Sequence, residues 1–107
     1  MIMEVKRELT EEIKAKLREK VYNFIAEECE IEVSEINDEL TIMEDLDGDS
    51  LMFVELVEML KSEYDFNIQL QVVGKYLLKN PAETVGEVIE TMYLIYQYDD
   101  KIVDLEN

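Results

Sequence analysis

The chain has no histidine, one cysteine, one proline and three glycines among its 107 residues. Each shortage removes a class of fold or function. Without histidine, imidazole metal sites and Ser-His or Cys-His nucleophile pairs are excluded, and a lone Cys29 excludes an internal disulfide and a cysteine-based zinc site. One proline and three glycines leave few turn signals, which disfavours sandwiches and barrels and favours long helices. Cations are also scarce: 10 Lys and Arg stand against 27 Asp and Glu, for a net charge of -17. Nucleic acid is an unsuitable partner for such a surface, because phosphates need cations to bind. No apolar run approaches the ~20 residues of a membrane span, and the N-terminus lacks the hydrophobic core of a signal peptide. The expectation is a cytoplasmic, monomeric chain without a membrane span or metal site.

Hydrophobic residues make up 48% of the chain, enough for one buried core at this length. The charge is unevenly spread. Six of the ten basic residues fall within the first twenty positions, whereas Val21 to Leu60 holds thirteen acids and no base. A run of this kind solvates a surface, and it also makes a docking face for basic patches on partners, where charge speeds encounter. The second reading is favoured because the acid-only window contains the stretch on which the function turns.

In chain order, residues 1–9 read as a frayed N-terminal extension. Thr10 is a helix N-cap with acids following it, and Ile13, Leu17, Val21, Phe24 and Ile25 mark an amphipathic helix to about Glu28. Cys29 continues that face as a small apolar residue, its acidic neighbours holding the thiol protonated. Residues 30–48 form a long loop with Ile31, Val33, Ile36, Leu40, Ile42, Met43 and Leu46 as anchors, and a helical turn near Ser34 to Asn37. A second helix runs from about Ser50 to Tyr64, with Leu51, Val54, Val57, Leu60 and Tyr64 on its inward face. Ile68 and Leu70 are further anchors. A short helix spans Leu70 to Leu78 and stops before Asn80-Pro81. Thr84 caps a last helix with Val85, Val88, Ile89, Met92 and Ile95 or Tyr96 inward, and residues 99–107 form a loose acidic tail. The predicted fold is all-α: a small four-helix bundle of three main helices and one short one, with a long loop between the first two and the domain at 10–98.

The informative stretch is Asp45-Leu46-Asp47-Gly48-Asp49-Ser50-Leu51. Ser50 stands where the loop gives way to the helix, a place that leaves a hydroxyl facing solvent. The alternating aspartates imitate the first half of a calcium loop, but its sixth and twelfth places, which need Gly and Glu, hold Ser50 and Leu56. A dedicated calcium loop is therefore not expected, though loose divalent binding to this cluster is.

Asp49-Ser50-Leu51, then Val54-Glu55-Leu56-Val57, Leu60 and Tyr64-Asp65-Phe66-Asn67-Ile68 closely resemble the acyl carrier protein family, and the likeness covers roughly Ile13 to Met92. The resemblance implies that Ser50 is esterified by 4'-phosphopantetheine, whose terminal thiol carries an acyl chain as a thioester between enzymes of fatty acid, polyketide or related lipid biosynthesis. It implies that Asp49 caps the helix and contacts the phosphopantetheinyl transferase. It also implies that Glu44, Asp47, Met52, Glu55 and Glu58 face acyl-transferring and chain-modifying synthase enzymes through basic docking patches. The protein itself would be no enzyme. Met52 stands where many members carry an acid, Phe53 and Met59 widen an exposed apolar strip beside it, and Gly48 sits one place later than the usual glycine. The longer Leu70 to Thr84 connection and the N-terminal extension imply a specialised carrier. The alternative is an unmodified carrier-like scaffold in which Ser50 is simply a polar residue of the first helical turn.

Overall fold

The computed structural model describes residues 7–46 and 50–106. Helix α1 spans Glu11–Cys29, α2 Ser50–Tyr64, α3 Leu70–Lys79 and α4 Val85–Tyr98, so the molecule is a small all-α bundle. A 3-10 turn, Val33–Glu35, interrupts the loop between α1 and α2.

Local chemistry sets the helix ends. Thr10 Oγ1 accepts the Ile13 N–H at 3.2 Å to open α1, and Glu30, at φ 54°, takes the left-handed conformation that closes it. Thr84 and Glu87 cap α4 reciprocally: the Glu87 N–H donates to Thr84 Oγ1 at 3.1 Å, and the Thr84 N–H donates to Glu87 Oε1 at 3.0 Å. Asparagine and proline follow α3, as expected from the sequence.

The core is where the four inward stripes meet. Leu17, Val21 and Ile25 of α1, Leu56, Val57 and Leu60 of α2, and Val88, Ile89, Met92 and Ile95 of α4 are buried, with Ile68 sealing the α2–α3 connection. On α2 the inward face differs from the one the sequence predicts. Leu51 and Val54 are exposed, and the buried stripe is Leu56, Val57 and Leu60. Val54 lies at the wall of a cavity, and Leu51 lies outside that cavity's lining.

The long loop is pinned by most of the apolar anchors expected. Ile36 and Ile42 are buried, and Ile31, Leu40 and Leu46 pack half-buried against the core, whereas Val33 and Met43 are exposed. Polar contacts supply the rest. The Arg18 guanidinium donates two bonds to the Asp38 carboxylate, at 3.0 and 2.8 Å, and the Tyr22 hydroxyl donates a third. The Ile42 N–H donates to the Glu83 carbonyl at 2.8 Å, the Val85 N–H to Leu40 at 2.9 Å and the Gly86 N–H to Asp38 at 2.9 Å, which stitches the loop onto the start of α4. Glycine fits closely at 86, because a Cβ there would lie 3.1 Å from Asp38 Cβ and 3.2 Å from its carbonyl oxygen.

The C-terminal segment departs from the loose tail expected of it. Asp99–Glu106 forms 3-10 turns, and Asp99 and Ile102 are fully buried. Nor is the start of the chain frayed from Arg7 onward: the Arg7 backbone N–H donates to Gln97 at 3.3 Å, and its side chain pairs with Asp99.

Candidate functional site

Helix α2 begins at Ser50, so residue 50 occupies the mouth of a fifteen-residue helix. No acid lies in the first turn of that helix. The partial positive charge and unpaired N–H groups of a helix N-terminus are thus not offset from within the turn, and the place is suited to an anion such as a phosphodiester. Asp47 and Asp49, expected to flank the serine, lie outside the described residues. Asp45 lies within them and is engaged locally: its Oδ2 accepts the Thr41 N–H at 2.9 Å and the Thr41 hydroxyl at 3.1 Å. Among the described residues, no group of three or more Asp, Glu or Cys is placed to hold a metal ion.

Beside the start of α2 is a cavity of about 580 Å³. Met52, Phe53, Val54 and Leu56 of α2 line one side, Leu70, Val73, Gly74, Leu77 and Leu78 of α3 another, and Thr41 to Glu44 of the loop a third. Its walls are apolar, with Thr41, Glu44 and Glu83 as the polar exceptions. Met43 and Leu78 belong to the same lining and are 74% and 86% exposed, large apolar side chains left in water at its rim. The size falls within the ~300–1,000 Å³ of pockets that bury small ligands.

The remaining candidates divide between this cavity and the outer face of α2. Glu55 and Glu58 are exposed on α2, and Glu44 is exposed in the loop at the edge of the cavity. Met52 is half-buried and lines the cavity, as does Phe53, while Met59 packs half-buried against the core. The apolar strip expected on the surface is thus turned largely inward, and Leu51 and Val54 take the exposed positions instead. The α3 wall was not anticipated as part of a site. Its signal was present in the spacing of Leu70, Val73, Gly74, Leu77 and Leu78, one full helical stripe.

The chain is thus a helical bundle whose second helix opens at a serine, with an apolar cavity beside its first turns. The sequence profile described as "Phosphopantetheine attachment site" matches residues 19–90. The chain is 56% identical over 99 residues to an "Acyl carrier protein homolog" of Clostridium acetobutylicum, covering 92% of this chain and 96% of that one. It is 34% identical over 73 residues to the "Acyl carrier protein" of Chlamydia felis, covering 68% and 86%. With the "Acyl carrier protein" of Picosynechococcus it shares 32% over 71 residues, covering 66% and 80%. The chain belongs to the acyl carrier protein family. It is a carrier and not an enzyme, its prosthetic group is 4'-phosphopantetheine, and its partners are a phosphopantetheinyl transferase and acyl-handling enzymes. Among the described residues, no helix is long and apolar enough to cross a membrane.

Proposed function

We propose that the Ser50 hydroxyl is the attachment point of 4'-phosphopantetheine and that the cavity beside it shelters the acyl chain carried. The observation that supports this most is a coincidence at one place. A fifteen-residue helix starts at Ser50 with no acid in its first turn, and its next residues wall a cavity of about 580 Å³. When bound, the group supplies a terminal thiol that holds an acyl chain as a thioester. This chain's residues contribute position and charge. The first N–H groups of α2 favour a phosphodiester at Ser50. Asp49, just before the helix, serves as its cap and as a contact for the transferase. Met52, Phe53 and Leu56 offer the cargo an apolar wall.

Partner recognition is assigned to Glu55 and Glu58, exposed on α2, with Glu44, Asp47 and Met52 at its approach. Enzymes with basic docking patches are then steered by charge, in a salt-sensitive way. The carrier domain is assigned to residues 10–98, which contain the whole profile match, with 1–9 and 99–107 as additions to it. It acts as a monomer in the cytoplasm, a specialised carrier for fatty acid, polyketide or related lipid biosynthesis.

Incubation with coenzyme A and a phosphopantetheinyl transferase, followed by intact-mass measurement and fragment mapping, tests the reading. One arm is expected per chain, on Ser50, and none on Ser50→Ala, with stability altered by only about 0.5 kcal/mol. A chain that takes no arm is an interaction scaffold instead.

A further inference from the structure

Helix α3 borders the cavity along one side, so that side gives it little to pack against. It buries only Val73 and Tyr76, whereas α4 buries seven residues. Local opening costs least in an element that buries so little. What holds α3 from elsewhere is the end of the chain. Among the described residues, the element whose backbone α3 approaches most extensively is the C-terminal segment Asp99–Glu106, ahead of α1, α2 or α4. That segment is seated by Ile102, which is fully buried, and it packs on α4 as well.

The root of the segment is Asp99. Its backbone sits at φ 52° and ψ -129°, a conformation that residues with a side chain seldom adopt and that persists only where the surroundings enforce it. Here they do. The buried carboxylate accepts the N–H of Asn67, three positions before α3 begins, and pairs with the Arg7 guanidinium at 3.3 Å. Arg7 also donates to the carbonyls of Asp65, just past α2, at 3.4 Å and of Tyr96, in α4, at 3.3 Å. One arginine thus fastens the entry of α3 to the entry of the segment that backs it. Neither Arg7 nor Asp99 lines the cavity.

We propose that Arg7 and Asp99 are positioning residues that clamp α3 through the C-terminal segment, and that this clamp sets how readily the α3 wall of the cavity opens. The inference rests on the carrier reading above and gives the two terminal additions a task in it, the retention and release of cargo. With the clamp broken, α3 loosens before α1 and α4, whose buried stripes are longer.

Two measurements on the full chain test this. In the first, amide hydrogen exchange is followed in α3 and α1. The ratio of α3 to α1 rates is expected to rise at least tenfold in Arg7→Gln and to stay within threefold of the parent in Arg7→Lys, which keeps a cation for Asp99. It is expected to stay within twofold in Ile89→Val, a core truncation in α4 that weakens the whole fold. In the second, the phosphopantetheinylated chain carries an octanoyl or an acetyl group, and release by hydroxylamine is timed. Octanoyl is expected to leave Arg7→Gln at least fivefold faster than the parent, and acetyl, two carbons long, within twofold. A ratio unchanged in Arg7→Gln, or raised equally in Ile89→Val, would overturn the proposal, as would octanoyl release indifferent to residue 7. A chain that accepts no arm sinks the carrier reading, and the exchange ratio then decides the clamp by itself.

Discussion

The Arg7 guanidinium donates to Asp99 Oδ2 from both terminal nitrogens at 3.3 Å, across 92 positions of sequence. Arg7 also lies over the Phe66 ring, 4.9 Å from its centroid, and donates to the Tyr96 carbonyl at 3.3 Å. The fully buried Asp99 carboxylate accepts the Asn67 N–H at 2.9 and 3.1 Å. One ion pair therefore joins the start of the chain, the α2–α3 connection and the end of α4, and at the fully buried Asp99 a lone charge would be costly.

Removing Asp99 takes the acceptor from the Asn67 N–H and leaves the Arg7 guanidinium only backbone carbonyls to bind. Asp99→Ala is expected to lower stability by about 2 kcal/mol, the scale of losing buried polar partners with one still reaching solvent. Urea unfolding measures this, and the double variant with Arg7→Ala should cost less than the sum of the two single changes. Additive costs would show that the two residues act separately.

The Arg18–Asp38–Tyr22 cluster makes a pH prediction. Hydrogen bonds from the Arg18 guanidinium and then the Tyr22 hydroxyl hold the Asp38 carboxyl below its ordinary value. A carboxyl depressed in the folded state adds stability that is present above its unfolded value, about 4, and lost as pH falls through the folded one. From pH 7 towards 5 the Asp38 carboxylate stays ionised, so its contribution to the melting temperature should hold. Below about pH 4 it should fall. Asp38→Asn, which keeps the backbone carbonyl that Gly86 uses, should flatten that acid limb in thermal scans.

Alanine at the two helical glycines should act in opposite directions. Gly74→Ala meets open space and should stabilise the chain by about 1 kcal/mol, the difference in helix propensity. Gly86→Ala pushes on Asp38, whose side chain is held by Arg18 and whose carbonyl is held by residue 86 itself, and should destabilise by about 1–3 kcal/mol as overpacking does. Denaturant midpoints of the two variants on the same side of the parent would contradict this account.

Charge reversal on α2 probes the proposed docking face. Glu55→Lys with Glu58→Lys should leave the fold intact, since both are exposed, while slowing arm transfer at least tenfold and weakening its dependence on salt. Kinetics like the parent's would move recognition off this helix.

Much of this molecule is a matter of local sequence. Four helices, the Thr10 and Thr84 caps, the stop before Pro81 and the start of α2 at Ser50 follow from capping chemistry and apolar spacing, which act over one or two turns. The family is likewise legible, because its motif is a contiguous serine at a helix start with an acidic helix behind it. Contacts between distant segments were not. Leu51 and Val54 fit the inward stripe by spacing, yet both are exposed, Val54 at the wall of a cavity lined by α3 and the loop. Asp99 reads as one more acid in an acidic tail until Arg7, from the other end of the chain, is placed against it. Periodicity states which residues of a helix share a face. Only the packing of one helix on another decides whether that face meets a core, a cavity or water.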